Sequence, residues 1–363
     1  MQILFGPEHD GLHIDPSEPN GYEWWYFDAI SDDERYVLVV IFFLGTPMSP
    51  YYKAVVDGKN PLPKDWCGVF VSLHERTKNG YKERAYAYNL YTENWENLLK
   101  TGTPDGLNYF RDKPLHIELG DSTVNGTYSH NGRRFTHSWL IELNERNLWF
   151  GATKANLTFT SSFLLDGKPT IESKYEGHNW VCVAPDCKVT GNVSFAGKTV
   201  QFFGRGYHDH NFGRLPWGNM QEWFWGRVRF PDDSPISGAV FYALWEGDEQ
   251  EIFDATGAFV AVWSDSQSFR FTTSAQISLV GHKRDSPLVP YEVTADEILS
   301  QPITAWGNGF LQRGPFYRRL NLGASIGGDD KSCGSGVAEV FRPARLCGPI
   351  ISRMMWTRIR RRS

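Results

Sequence analysis

The chain is poor in the signals that would mark a secreted, membrane-spanning or nucleotide-handling protein. Its 363 residues include five cysteines, Cys67, Cys182, Cys187, Cys333 and Cys347. The number is odd and the spacings match no zinc ribbon or redox motif, so packed or idle thiols are expected rather than a disulfide framework. No apolar run approaches the roughly 20 residues that span a bilayer as a helix. The opening Met1-Gln2-Ile3-Leu4-Phe5-Gly6-Pro7-Glu8 has neither the basic stretch nor the apolar core of a secretion signal. A cytoplasmic location is the expectation. Lys and Arg number 37 against 42 Asp and Glu, a net charge of -5. No basic stripe interleaves with aromatics in the body of the chain, so no nucleic-acid partner is expected. Phosphate-binding Gly-rich loops and Gly-x-Ser-x-Gly elbows are missing too, which argues against nucleotide enzymes and serine hydrolases.

Helical periodicity is also scarce, confined to short pieces near residues 94–100, near 295–300 and at the C-terminus. What fills the chain instead is aromatic and β-branched. Aromatics make up 15% of residues, with 14 Trp, 16 Tyr and 24 Phe, suited to strands and to an aromatic-walled cavity. Turn signals at Asn79-Gly80, Asp105-Gly106, Asn125-Gly126, Asn131-Gly132 and Asp166-Gly167 separate β-rich runs. The fold class expected is all-β.

An internal echo organises these strands. Glu23-Trp24-Trp25-Tyr26-Phe27-Asp28-Ala29 returns as Glu222-Trp223-Phe224-Trp225-Gly226-Arg227-Val228. Each copy is followed by an acidic turn and an apolar strand, so two β units of similar plan are expected, at 1–195 and 196–363. Two barrels or strongly curved sheets would remove exposed edges from so many strands.

Two short stretches carry chemistry. In Gly206-Tyr207-His208-Asp209-His210-Asn211, strand alternation would point Tyr207, Asp209 and Asn211 to one face and His208 and His210 to the other. His178-Asn179-Trp180 again offers a polar and an aromatic group two apart. The pair His208-x-His210 has a spacing that metal sites use, with His178, His137 or Glu23 as a third ligand. No spacing identifies that ligand, so no metal is expected, and hydrogen bonding between the two units is the preferred role for the pair. Glu23 and Glu222, repeated in the echo, read as structural acceptors.

Together with Gly21-Tyr22-Glu23-Trp24-Trp25-Tyr26-Phe27-Asp28-Ala29, Ser49-Pro50-Tyr51-Tyr52 and Gly314-Pro315-Phe316-Tyr317, these stretches resemble the carotenoid 1,2-hydratases, or hydroxyneurosporene synthases. They also resemble the wider lipocalin-like group that includes fungal Diels-Alderases. The resemblance implies two lipocalin-like antiparallel β-barrel (calycin-type) domains around a hydrophobic cavity, with no cofactor. It carries the acting residues onto His178, Trp180, Tyr207 and Asp209.

Addition of water to an isolated alkene needs a strong acid, a tolerated carbocation and a placed water. Asp209 would be the acid if burial keeps it protonated, and Tyr207 would orient its proton. Trp180, with Trp24 or Trp25 in reserve, would hold the cation by its π face, and His178 would handle the water. Trp24, Trp25, Tyr26, Tyr51, Trp223 and Trp225 would wall a cavity for a hydrophobic polyene, with Glu23, His208, His210 and Asn211 as supporting polar groups. Cyclisation of a polyene without change in formula and non-catalytic lipid binding are the alternatives. The tail 345–363 sets Leu346, Ile350, Ile351, Met354, Met355, Trp356 and Ile359 among arginines. It reads either as a contact for a membrane surface or as an element packed on the barrel.

Overall fold

The computed structural model describes residues 2–91, 115–131, 134–164, 171–172, 177–217, 220–247, 258–264, 269–280 and 290–362. The expected helix near 94–100 and the turns at 105–106 and 166–167 lie outside these residues, as does Gly132. Strands dominate. The first group is β1 (Gln2–Phe5), β2 (Gly21–Ser31), β3 (Tyr36–Leu44), β4 (Cys67–Thr77), β5 (Gly80–Tyr91), β6 (His116–Leu119), β7 (Ser122–Asn131), β8 (Arg134–Asn147), β9 (Gly151–Leu164), β10 (Ile171–Glu172), β11 (His178–Phe195) and β12 (Lys198–Arg214). The second is β13 (Met220–Phe230), β14 (Gly238–Gly247), β15 (Ala258–Ser264), β16 (Phe269–Thr272), β17 (Gln276–Leu279), β18 (Tyr291–Thr294), β19 (Ile303–Arg313), β20 (Tyr317–Ile326) and β21 (Asp329–Phe341). A last strand, β22 (Arg360–Arg362), returns to pair parallel with β5.

Two sheets result. The first has the order β22-β5-β4-β3-β2-β12-β11-β9-β8-β7-β6, with β1 beside β11 and β10 beside β1. The second has the order β16-β15-β14-β13-β21-β20-β19-β18-β17. Both curl in the manner of lipocalin-like antiparallel barrels. In the first, the curl brings β5 towards β8, where the buried Glu145 carboxylate accepts from Asn89, Tyr91 and Ser122. The chain changes sheet between Arg214 and Met220, so the expected division at 195/196 falls inside the β11–β12 hairpin of the first sheet. Tight pairing of β12 with β2 is what keeps the Tyr207–Asn211 stretch there.

β2 and β3 are buried at every position, as expected of strands covered on both faces. One face of β2 looks into the first sheet's own interior and the other packs against the second sheet. The echo sits at this second contact: Trp24 stacks on Trp223 with centroids 6.2 Å apart, and Tyr26 meets Trp225 edge-on at 6.3 Å. Asp28 and Arg227, the echoed pair that differ in sign, form a buried ion pair between the sheets.

Two helices are described. α1 (Pro50–Val56) was not anticipated, although Ser49 caps it by accepting from the Tyr51 amide and Pro50 opens it. α2 (Pro349–Arg358) matches the helical tail, and buries Met355 while the neighbouring Leu346 and Ile359 are also buried. The piece near 295–300 is a turn, closed by Ala295 carbonyl bonds to Ile298 and Leu299, and is too short to propagate a helix. The cysteines are free, with Cys67, Cys182 and Cys187 buried.

Candidate active site between the two sheets

Strand alternation sorts the central motif as expected. On β12, Tyr207, Asp209 and Asn211 face the second sheet, and pair across with Asp28, Tyr26 and Trp24 of β2. β11 bulges opposite this stretch, between Cys182 and Ala184 and between Ala184 and Cys187. Such bulges bend a strand and re-aim its side chains. Gly206 permits the close approach, since a Cβ there would lie 2.6 Å from Val189 Cγ2 and 2.7 Å from the Asp28 carbonyl oxygen.

Asp209 is the focus. Tyr207 Oη donates to Asp209 Oδ2 at 3.0 Å, and Trp180 Nε1 donates to the same oxygen at 3.2 Å. Asn211 Nδ2 donates to Oδ1 at 2.7 Å. The nearby arginines are engaged elsewhere, Arg205 with Asp186 and Arg214 with Glu18. Burial lifts the Asp209 carboxyl well above the ordinary carboxylate range; the bonds from Tyr207 and Trp180 oppose this, and the charges of Glu339 and Asp28 add to it. The neutral acid is therefore favoured. Oδ2 already accepts from two donors and Oδ1 from one, so the open position for the acidic proton is on Oδ1.

His178 stands one residue further back. Tyr22 Oη lies 2.5 Å from His178 Nδ1 and accepts from Trp217 Nε1 at 2.8 Å. Burial pushes the imidazole down to about 3. The His178 imidazole is thus tied to Tyr22 and, through it, to Trp217.

A narrow pocket of about 20 Å³ opens at Asp209 and Asn211. Its walls include Trp24, Tyr26, Trp223 and Trp225, with Tyr317, Arg319 and Glu339 from the second sheet. It adjoins a cavity of about 210 Å³, the two sharing Ile41, Phe43, Met48, Tyr317 and Arg319. α2 closes part of this larger cavity through Ile351, Met354 and Met355.

Other expected residues fall elsewhere. Trp25 lies on the opposite face of β2, stacked 4.7 Å from His210 with its indole donating to the Asp10 carbonyl, because adjacent strand residues point to opposite faces. Tyr51 is buried at α1 and donates to the Gly21 carbonyl at 2.6 Å, away from the cavity walls. Trp180 and Tyr207 support the carboxyl from behind and do not line the pocket. His208 and His210 bond partners within 1–195, but do so inside the first sheet and not between the two sheets. They face the interior of the first sheet, His208 Nε2 3.0 Å from Asp10 Oδ2 and His210 Nε2 2.6 Å from Glu23 Oε1.

That interior cluster holds the one metal-type grouping among the described residues. Ligand atoms of His13, Glu23 and His210 lie within 4.8 Å of one another. Glu23 also accepts from the His13 and Ile14 amides, and burial lifts its carboxyl to about 8. Hydrogen bonding thus accounts for the group as a clamp on the N-terminal segment. Arg319, Glu339 and Tyr317 were not foreseen. The signal for Glu339 is a single acid within Val337-Ala338-Glu339-Val340-Phe341, where the flanking residues are apolar.

An all-β pair of curled sheets with a buried carboxyl in an aromatic pocket between them defines the class as a lipocalin-like protein with a hydrophobic site. Residues 134–363 match the family described as "Carotenoid hydratase CrtC", and the chain belongs to that family. A protein of Chlorobaculum tepidum named "Hydroxyneurosporene dehydrogenase" is 25% identical over 93% of this chain and 85% of its own length. The "Acyclic carotenoid 1,2-hydratase" of Thiocapsa roseopersicina is 27% identical over 64% of this chain, which spans only 49% of that relative. The crystal structure of CghA with Sch210972 superposes with a TM-score of 0.55 at 14% identity, covering 92% of this chain and 94% of that one.

Proposed function

We propose that the protein adds water across a terminal C=C bond of a long polyene or isoprenoid, with Asp209 as the acid. The observation that carries this reading is a fully buried carboxyl with neutral hydrogen-bond partners, Tyr207, Trp180 and Asn211, at the end of an aromatic pocket. An unactivated alkene needs such an acid, and general acid catalysis is worth about 10²- to 10⁴-fold. Trp24, Trp223 and Trp225 wall the pocket where a tertiary cation would form, and a desolvated ring face contributes about 2 kcal/mol to holding it. His178 acts as a positioning residue, its imidazole held by Tyr22. The narrow pocket's about 20 Å³ accommodates one water. The adjoining space of about 210 Å³ admits the end of a polyene, with the rest of the molecule passing out past α2.

The test is mass spectrometry of products from lycopene and neurosporene with wild type and Asp209→Asn. A gain of one water that vanishes in the variant supports the reading. An isomer of unchanged mass would replace it with a cyclase, and tight binding without turnover would replace it with a lipid carrier.

The tail gives such a substrate a route in. Ile350 is 71% and Met354 54% exposed on α2. Arg345, Arg353 and Arg360 flank them, and no Asp or Glu follows Glu339. This face fits an anionic bilayer surface, each nearby arginine adding about 1 kcal/mol. Pelleting with phosphatidylglycerol vesicles, but not with phosphatidylcholine vesicles, is expected for wild type. Retention of full binding by Ile350→Ser/Arg353→Glu would remove the proposal.

A further inference from the structure

The two copies of the echo set a second carboxyl opposite the first. On the first sheet Tyr26 pairs across with Asp209. On the second, Trp225, equivalent to Tyr26 in the echo, pairs across with Glu339. The neighbours keep the same register: Trp24 with Asn211 corresponds to Trp223 with Phe341, and Asp28 with Tyr207 to Arg227 with Val337. Asp209 and Glu339 are therefore equivalent positions of the two sheets, and both line the narrow pocket.

Their surroundings differ. Asp209 meets neutral donors, whereas Glu339 Oε1 accepts from Arg319 Nε at 2.9 Å and from Nη2 at 2.5 Å. Arg319 is 1% exposed, and its Nη1 makes no hydrogen bond within the protein; the Trp225 indole N–H, in a residue 4% exposed, makes none either. Both residues line the same pocket. Buried donors without partners are unfavourable. A water in the pocket would satisfy them, between a neutral acid on one sheet and an ion-paired carboxylate on the other.

We propose that Glu339, with Arg319 and Trp225, holds the water that adds to the alkene and takes its proton. The assignment rests on the hydratase reading above. In the step, the C=C electron pair takes the proton from Asp209 and leaves a tertiary cation at the other carbon. A lone pair of the water oxygen forms the C–O bond, and the proton released goes to the Glu339 carboxylate. Transfer of that proton back to Asp209 restores the acid, so the net change is addition of one water. Carboxyls whose environments differ in this way divide acid and base roles between them.

The experiment follows hydrated product and deuterium uptake in deuterium oxide for wild type, Glu339→Gln and Trp225→Phe, with lycopene or neurosporene as substrate. Glu339→Gln is expected to lower kcat by at least about 100-fold with KM changed by less than about twofold. Recovered substrate should still take up deuterium, because Asp209 can protonate the alkene and take the proton back. Trp225→Phe keeps the ion pair and removes one donor, so it guards against a folding defect in the first variant; its kcat should fall about tenfold. Wild-type hydration that survives in both variants overturns the assignment alone. A wild type that makes no hydrated product sinks the hydratase reading, and this assignment with it.

Discussion

The same strand appears twice in this protein, and its two copies have been put to different uses. β2 and β13 each carry an acid, a tryptophan and further aromatics in register, and each lies at the contact between the sheets. At the first position of the echo the environments diverge. Glu23 is wholly buried behind β2, where it clamps His13, Ile14 and His210, while Glu222 is part-exposed and ion-paired with Arg342. At the sixth, Asp28 and Arg227 have opposite sign and join the sheets. Repetition supplies matching geometry, and divergence supplies the charge differences from which a site is made.

Breaking the cross-sheet pair is the harshest test of that comparison. Arg227→Leu leaves the buried Asp28 carboxyl without its ion-pair partner, and should destabilise the fold by about 3–5 kcal/mol. The double variant Asp28→Leu/Arg227→Leu should recover most of this, read by denaturant melts. If the single and double variants are equally unstable, the pair is not the joint between the sheets.

The two glutamates sharpen the contrast. Glu23→Ala strands two backbone amides and His210 in the interior, and should lose about 3 kcal/mol or more. Glu222→Ala removes a part-exposed ion pair, for which about 1 kcal/mol is the upper expectation. Equal losses would mean that the first copy is no more specialised than the second.

The smallest effect concerns pH. The Asp209 carboxyl is raised in the folded protein, so between about 4, its unfolded value, and that raised value the folded state binds the extra proton. Stability attached to Asp209 is therefore present at low pH and declines as pH rises through this window. Asp209→Asn has no such decline, so its melting temperature minus that of wild type should increase from pH 5 to pH 8. A constant difference would show that Asp209 is ionised when folded.

Much of this was legible beforehand because strand geometry is local. The period of two sorted Tyr207, Asp209 and Asn211 from His208 and His210, and the echo announced two matching units. Trp25 was misplaced although the same rule applies to it, since its neighbour Trp24 looked equally suitable for a cavity wall. Tyr51 was misread because the short capped helix at 50–56 was not seen. The division at 195/196 cut a hairpin that pairing alone reveals.

The sequence by itself determined the fold class, the carboxyl with its tyrosine and the aromatic wealth around them, because these depend on residue type and on alternation within one strand. Which face of the first sheet would meet the second, and hence that Asp209 would look across at Glu339 and Arg319, depends on register between strands and on the packing of one curled sheet on another. That arrangement joins residues more than a hundred positions apart. Only the tertiary structure decided it.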